Sequence, residues 1–587
     1  MSVEKVHAVQ FFPAMSDRAP WEELKRAPAI RKYAADLAAE AEKLLAQPIV
    51  EMPATAFLDY FRTGDRRKGE MLYFARRQRL VTLLLAEALE YKGRFTDGIV
   101  NAVWAILNEP TWCLPAHTRL TPGDALPDFA SEEVDLFSAQ TSAVLASTLM
   151  LAEKELAAVS PTLVKRMRRT VIRRAICPVE EDLSRFWWHE GRNNWTPWIC
   201  SNLLNSANTV LADDPPRLLA YTRLLQSCMD RYYTRYSEDG ACEEGPGYWA
   251  KSPGIAILYY ELLCRMSDGA SSIFNEEKFI RMIRYVGEMQ VGDNCFFPFS
   301  DSPPFVSMPC GLLAMYARRT GDPAVRDFAR RCRKVTPMSS AARDYIEPDL
   351  LLADLFFLDD GPVGTPEDFV SYYPVLQLLS LRAGRLRLAA IAGNNGFCHN
   401  HNDVGQFILV VDGKFQVMDL GAPEYTRFTF SEQRYDDPII NSLYHNVPIF
   451  DGVGQMKGAK HAARDVTCRQ EGKRVIFAME LAGTYPETLG LRSCRRTLTL
   501  DAETSTLEVR DEWSAEKPRV YSVTLFAQTE AAKSPVALTA SLPVTEEKFA
   551  VTDPKQRRSW GDTLWTRRIV SKPAASGVNI MRFTLKP

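Results

Sequence analysis

The chain has 587 residues, of which 46% are hydrophobic and 25% charged, with 31 Gly and 36 Pro; this is the composition of a folded protein of several domains and excludes a disordered or fibrous one. Lys+Arg 71 against Asp+Glu 73 leaves a net charge of -2, so the global balance calls for neither nucleic acid nor an acidic membrane as partner. The opening MSVEKVHAVQFFPAM lacks a basic flank, an apolar core and a small-residue cleavage site, and no apolar run reaches the length of a membrane span. The 12 cysteines are scattered, with no C-x-x-C pair, which suits reduced thiols, and a cytoplasmic location is expected.

Residues 1–20 read as a terminal arm. From about residue 21 to about 354, apolar residues recur at three and four, and 30–46, 79–91, 134–156 and 216–233 are predicted helices. Short Pro, Gly or Asp breaks join them with no strand between, which predicts a bundle or a toroid of helical hairpins. No clean repeat sets the number of hairpins. The basic run KRMRRTVIRR at 165–174 reads either as a solvated helix face or as a lure for an acidic ligand.

The stretch DDGPVGTPED at 359–368 suits a linker, and beyond it the period becomes two. Strands are predicted at 386–392, 407–411, 414–418, 497–500, 506–510, 521–527 and 578–585, and Asp412-Gly413 signals a two-residue hairpin. The expected architecture is α+β multidomain, a helical domain over 1–360 followed by an antiparallel β domain over 361–587.

Of 7 histidines, His399, His401 and His445 share one stretch of the β half. Two apart in an extended strand, His399 and His401 would point to one face. Two of these histidines with Asp419 make a ligand set for Zn²⁺ with a fourth position left for water or another oxygen, or else a polar cluster that needs no metal. In the helical half, Asn193 and Asn194 of G-R-N-N-W-T-P-W read by spacing alone as turn formers or helix caps. Tyr248 of E-E-G-P-G-Y-W sits on a glycine-rich loop, the usual place for a catalytic group, but equally suits a packed aromatic with a satisfied hydroxyl. Trp187, Trp188, Trp195, Trp198, Tyr248 and Trp249 crowd these loops, and flat aromatic faces suit sugar rings.

Taken together, N-N-W at 193–195, E-G-P-G-Y-W at 244–249, H-N-H-N-D-V-G-Q-F at 399–407, D-L-G-A-P-E-Y-T at 419–426, S-E-Q-R-Y at 431–435 and H-N-V-P at 445–448 resemble the heparinase II/III-like polysaccharide lyases. The resemblance implies an incomplete (α/α) toroid followed by an antiparallel β-sandwich domain, with the active site in the cleft between them. It implies that Asn194 neutralises a uronate carboxylate, that Tyr248 is a catalytic acid or base and that His399 is the second proton-transfer group. Arg192, Asn193, Trp195, Glu244, Trp249 and Tyr435 would help to bind substrate. His401, Asp419 and His445 match the position of the family's metal site, usually assigned to zinc. Some members carry a histidine beside or at the Asn position, where this chain has Asn193 and Asn194.

Elimination removes the C5 proton of a uronate and expels the 4-linked sugar without water. That proton is weakly acidic because the carboxylate is already negative, so hydrogen-bond donors that take up the developing charge supply the main stabilisation. A base must reach C5 and an acid must reach O4. The expectation is a lyase for acidic oligosaccharides, glycosaminoglycan fragments such as heparan sulfate, hyaluronan or chondroitin before alginate, working as a monomer or a homodimer. A glycoside hydrolase would need two carboxylates flanking the bond, and only the neighbours Glu243 and Glu244 offer a pair. A non-catalytic carbohydrate-binding protein on the same fold is the third class.

Overall fold

The computed structural model describes residues 3–119, 124–126, 128, 132–335 and 347–586. Two compact units emerge. The first takes the chain up to Tyr236 together with Ala250–Phe279 and Ser307–Val363, and the second takes Ser237–Trp249, Ile280–Val306 and the chain from Gly364 onward.

The first unit is helical, as the three-and-four periodicity requires. The four predicted segments correspond to helices Pro28–Leu45, Arg67–Glu90, Leu136–Val159 and Pro215–Arg235. Its interior helices run in sequence: Leu136–Val159 packs on Trp195–Val210, that on Pro253–Met266, that on Cys310–Thr320, that on Pro348–Phe357, which returns to Leu136–Val159. Leu136–Val159, Trp195–Val210 and Pro253–Met266 are buried nearly all round, so each needs neighbours on several sides, and outer helices such as Pro161–Val171 and Pro215–Arg235 supply the second layer. The basic run at 165–174 falls partly on Pro161–Val171, where Arg168 pairs with Glu153, while Arg173 and Arg174 pair with Glu132. The described residues of the arm, from 3 to 20, are packed: Phe11, Phe12 and Met15 are buried, and Asn208 on Trp195–Val210 exchanges hydrogen bonds with both backbone groups of Val9 at 2.9 Å.

Three carboxylates withdrawn from water stand at the last inner helix: Glu347 just before it, and Asp349 and Asp354 on it. Glu347 accepts from Gln140 at 3.2 Å, Asp349 from Ser147 at 3.0 Å and Asn205 at 2.8 Å, and Asp354 from the Gly311 N–H at 2.6 Å. Burial raises each of the three to about 7. In the unfolded chain these groups ionise near pH 4, so the native state binds more protons between about pH 4 and 7. Their contribution is fully present below pH 4 and is lost as pH rises through 7. Thermal unfolding followed across this range is expected to show a loss of stability that is shallower in Asp349→Asn than in wild type; an unchanged slope would show that Asp349 ionises normally.

The second unit is antiparallel throughout. A five-stranded meander runs Phe369–Tyr373, Leu378–Ala383, Leu386–Ile391, Phe407–Val411, Lys414–Val417, and its last turn is the predicted Asp412-Gly413 hairpin, with φ of 48° and 74°. A six-stranded sheet holds Arg464–Glu471, Arg474–Glu480, Leu491–Asp501, Thr506–Arg519, Ala574–Leu585 and Val536–Ala540, and a four-stranded sheet is built on Tyr521–Ala527 and Thr563–Val570. Alternate residues of these strands, among them Leu388, Phe407, Phe477, Leu498, Val509, Val523 and Met581, share one core. Within it Arg496 forms a two-bond ion pair with Asp511 at 2.7 Å and donates to the carbonyls of Gly405 and Asn446 at 2.9 and 2.7 Å. That guanidinium anchors the two loops carrying His401 and His445 to the sheet. Among the described residues no helix is long and apolar enough to cross a membrane.

Candidate active site

Three segments of the second unit converge around His399. The first is the turn at 243–249, where Gly245 has a φ of 83° and a Cβ there would lie 2.4 Å from the Phe299 carbonyl oxygen. Only glycine allows this approach, and it brings the short helix Pro246–Trp249, with Tyr248, against the segment 299–302. The second segment is held by Ser300, whose hydroxyl donates to the Glu243 carbonyl at 2.9 Å, and by Ser302, whose hydroxyl accepts the Gly247 N–H at 2.8 Å. Between these two serines stands Asp301.

The third segment is H-N-H-N-D, and here the expectation of an extended strand is corrected. Only Asn394–Asn395 is strand; His399 follows in a turn with a φ of 60°. A left-handed backbone at a non-glycine residue breaks the period of two, so His399 and His401 do not share a face. They instead approach the two oxygens of one carboxylate. His399 Nδ1 lies 2.7 Å from Asp301 Oδ2, and His401 Nε2 lies 3.1 Å from Asp301 Oδ1, which also accepts from Arg434 at 2.9 Å. Burial opposes ionisation of Asp301, but the hydrogen bonds of the two imidazoles and the Arg434 charge outweigh it and hold the carboxyl well below its usual range.

An ionised carboxylate accepts hydrogen bonds and donates none, so each imidazole must place its N–H toward Asp301. Asp301 thereby leaves a lone pair on Nε2 of His399 and on Nδ1 of His401. The first faces Glu244 and belongs to a ring stacked on Tyr248. The ring of Tyr248 stacks on His399 with centroids 4.1 Å apart and 25° between planes, and its hydroxyl is hydrogen-bonded to that of Tyr425 at 2.8 Å. Tyr425 is pushed well above the ordinary phenol range, by burial first and then by Tyr248 and Asp301, and so stays a neutral donor. Glu244 Oε2 stands 3.6 Å from His399 Nε2, and the exposed ring of Phe430 meets His399 edge-on at 5.4 Å.

The second lone pair, on His401 Nδ1, is buried with no protein partner. Asp419 and His445 face it, and one ligand atom from each of the three lies within 4.8 Å of the others. Gln406 donates to Asp419 Oδ2 at 2.5 Å, and its carbonyl lies 2.7 Å from His445 Nδ1. For Asp419 burial is outweighed by the charges of His445 and His401 and by the Gly421 N–H, which lowers its pKa. Two imidazoles, one of them with an orphaned nitrogen, and a carboxylate fit a divalent metal of the zinc class. A metal held there would cross-link the 399–406 turn to the segments carrying Asp419 and His445.

The remaining predicted residues fall into different roles. Trp249 is fully buried and donates its indole N–H to the Met282 carbonyl at 2.6 Å; it packs the turn under Tyr248 and offers no face to a sugar, which corrects its expected part in binding. Tyr435 is half-buried and donates to Asn400 at 2.8 Å, bracing the turn between the two histidines. In the first unit, Asn193 accepts the Trp195 N–H at 3.1 Å, the turn-forming arrangement read from its spacing. Asn194 is buried at the start of helix Trp195–Val210 but its side chain does not cap that helix. Arg192 is exposed and pairs with Glu190 at 2.6 Å, and Trp195 packs against the exposed Trp187 with ring centroids 4.7 Å apart. Sequence reasoning missed Asp301, Tyr425, Arg434 and Phe430 as individuals. Three of them lie within or beside the quoted motifs; Asp301 had only the serines and prolines of F-S-D-S-P-P to mark a loop.

Residues 373–569 match the family described as heparinase II/III-like, C-terminal. Among solved structures, a mutant of the heparan sulfate lyase HepC from Pedobacter heparinus matches with a TM-score of 0.61 at 13% identity, over 98% of this chain and 93% of that one. Heparinase III matches with a TM-score of 0.60 at 14% identity, over 97% and 92%. The Streptomyces coelicolor A3 chondroitin AC lyase, in complex with chondroitin sulphate, gives 0.56 at 11%, over 97% and 83%. At these identities the likeness is one of fold, a helical region followed by antiparallel sheets. No curated protein matches the chain in sequence.

Proposed function

We propose, from the match of residues 373–569 to the heparinase II/III-like C-terminal family, that the chain is a polysaccharide lyase, cleaving 4-linked uronates by β-elimination to leave 4,5-unsaturated products. One observation carries the reading: Asp301 holds His399 in the tautomer whose free Nε2 can take a proton, directly beside the phenol of Tyr248. A proton acceptor and a proton donor side by side are what C5 abstraction and O4 departure need.

In this reading His399 Nε2 is the base where the C5 hydrogen and O4 lie on opposite ring faces, with Tyr248 the acid. Where both lie on one face, Tyr248 serves both steps. An unperturbed phenol near pKa ~10 is a poor base at neutral pH, so Tyr248 would need nearby positive charge to work as one. Asn194, buried at the start of its helix, is assigned to the uronate carboxylate, where an amide donor takes up charge as C5 loses its proton. His401, facing the metal group, keeps out of proton transfer. The zinc-class metal is assigned a supporting role in the β domain.

The substrate class follows from the resemblance: acidic oligosaccharides, glycosaminoglycan fragments before alginate, met in a cytoplasm where the 12 cysteines stay free thiols. The test is ultraviolet absorbance of the protein mixed with heparan sulfate, hyaluronan, chondroitin, dermatan and alginate oligosaccharides, because only elimination creates the conjugated uronate chromophore. A rise with a glycosaminoglycan is expected. A rise with alginate alone would replace the substrate class, and hydrolytic products lacking the double bond would overturn the lyase reading.

A further inference from the structure

Cys398 precedes His399 in the same turn, and the motifs give it no role. Its Sγ, a carboxylate oxygen of Glu244 and a ring nitrogen of His399 all lie within 4.8 Å of one another. None of these residues belongs to the group formed by His401, Asp419 and His445, so the second unit holds two separate ligand sets. The nitrogen of His399 nearest Glu244 is Nε2, at 3.6 Å, the one whose lone pair Asp301 leaves free. An imidazole braced through its other nitrogen by a buried carboxylate is oriented and made more basic as a metal ligand. The side chains of Glu244 and His399 are 5% and 10% exposed, so an ion reaching them is largely withdrawn from water. Sulfur, imidazole and carboxylate together select a soft or borderline divalent ion; Mg²⁺ and Ca²⁺, which prefer sets made wholly of oxygen, are poor occupants.

We propose that Glu244, Cys398 and His399 form a second cation site, for thiophilic divalent ions of the Zn²⁺ and Cd²⁺ class, whose occupation takes His399 Nε2 out of proton transfer and inhibits the enzyme. Binding replaces the Cys398 S–H by an S–metal bond and releases that proton to solvent, with no electron transferred. The inhibitory consequence rests on the lyase reading; the binding site does not.

The test is a titration of the full chain with Cd²⁺, recording the ultraviolet cadmium–thiolate band and the elimination rate together. Wild type is expected to develop the band and lose activity in parallel. Cys398→Ser, and Cys398→Ala as a second version should the first fold poorly, are expected to lack the band, keep the basal rate and need at least ~10-fold more Cd²⁺ for inhibition. Cys468→Ser, which alters another half-buried thiol, is expected to keep it. No band in wild type, or a band and an inhibition that persist unchanged in the Cys398 variants, would overturn the proposal. A band that depends on Cys398 in a protein inert toward every oligosaccharide would uphold the site while the lyase reading failed.

Discussion

Tyr248→Phe is expected to lower the elimination rate by about 10²- to 10⁴-fold while leaving oligosaccharide binding within a few-fold of wild type. The exchange removes one oxygen and keeps the ring that stacks on His399 at 4.1 Å, so the aromatic surface survives. What is lost is the group proposed to carry the proton at O4 and the partner of the Tyr425 hydroxyl at 2.8 Å. Each tenfold loss of rate corresponds to about 1.4 kcal/mol of transition-state stabilisation, so the expected range is about 3 to 5 kcal/mol. The rate is read from the unsaturated uronate chromophore and binding from calorimetry. A variant within about threefold of wild type in rate would remove Tyr248 from the chemistry; wild type and variant that bind equally and are equally inert would favour the non-catalytic carbohydrate binder.

Asp301→Asn separates the two histidines that this carboxylate serves. Oδ1 receives two donors, His401 and the Arg434 guanidinium, whereas His399 meets Oδ2. An asparagine keeps its one carbonyl oxygen where two donors, one of them charged, compete for it, and turns its NH₂ toward His399. His399 must then accept at Nδ1 and carry its proton on Nε2, which removes the base. The comparable exchange in the Ser-His-Asp triad costs about 10⁴ in rate through the wrong tautomer. A loss of about 10² to 10⁴ is expected here, with metal content measured by elemental analysis retained because His401 keeps its tautomer. Loss of metal with the rate of the metal-reloaded variant intact would reverse this assignment of the two oxygens. A rate close to wild type would show that Asp301 does not set the His399 tautomer.

Local signals carried much of the architecture. The apolar spacing of 134–156 and 216–233 marks helices because a helix buries a stripe every 3.6 residues whatever lies opposite, and Asp412-Gly413 marks a hairpin because those two residues tolerate the positive φ that its turn demands. Strands such as Val544–Ala550, largely exposed on both faces, have no such stripe, and the periodic reading passed over them.

For the site, sequence by itself determined which residue types are present and in what order: a tyrosine behind glycines, a histidine cluster, an acid and a histidine further on, enough to draw the resemblance to a lyase family. Tertiary structure alone decided how they are wired. Asp301 lies about a hundred positions from His399, and nothing local predicts that one carboxylate spans two histidines two residues apart; the left-handed backbone at His399 had hidden even their relative orientation behind an assumed strand. Trp249 likewise reads in sequence as an aromatic for a sugar and is in fact the packing beneath Tyr248. Protonation state and exposure are properties of what surrounds a side chain, and those surroundings are assembled from segments that the chain brings together only on folding.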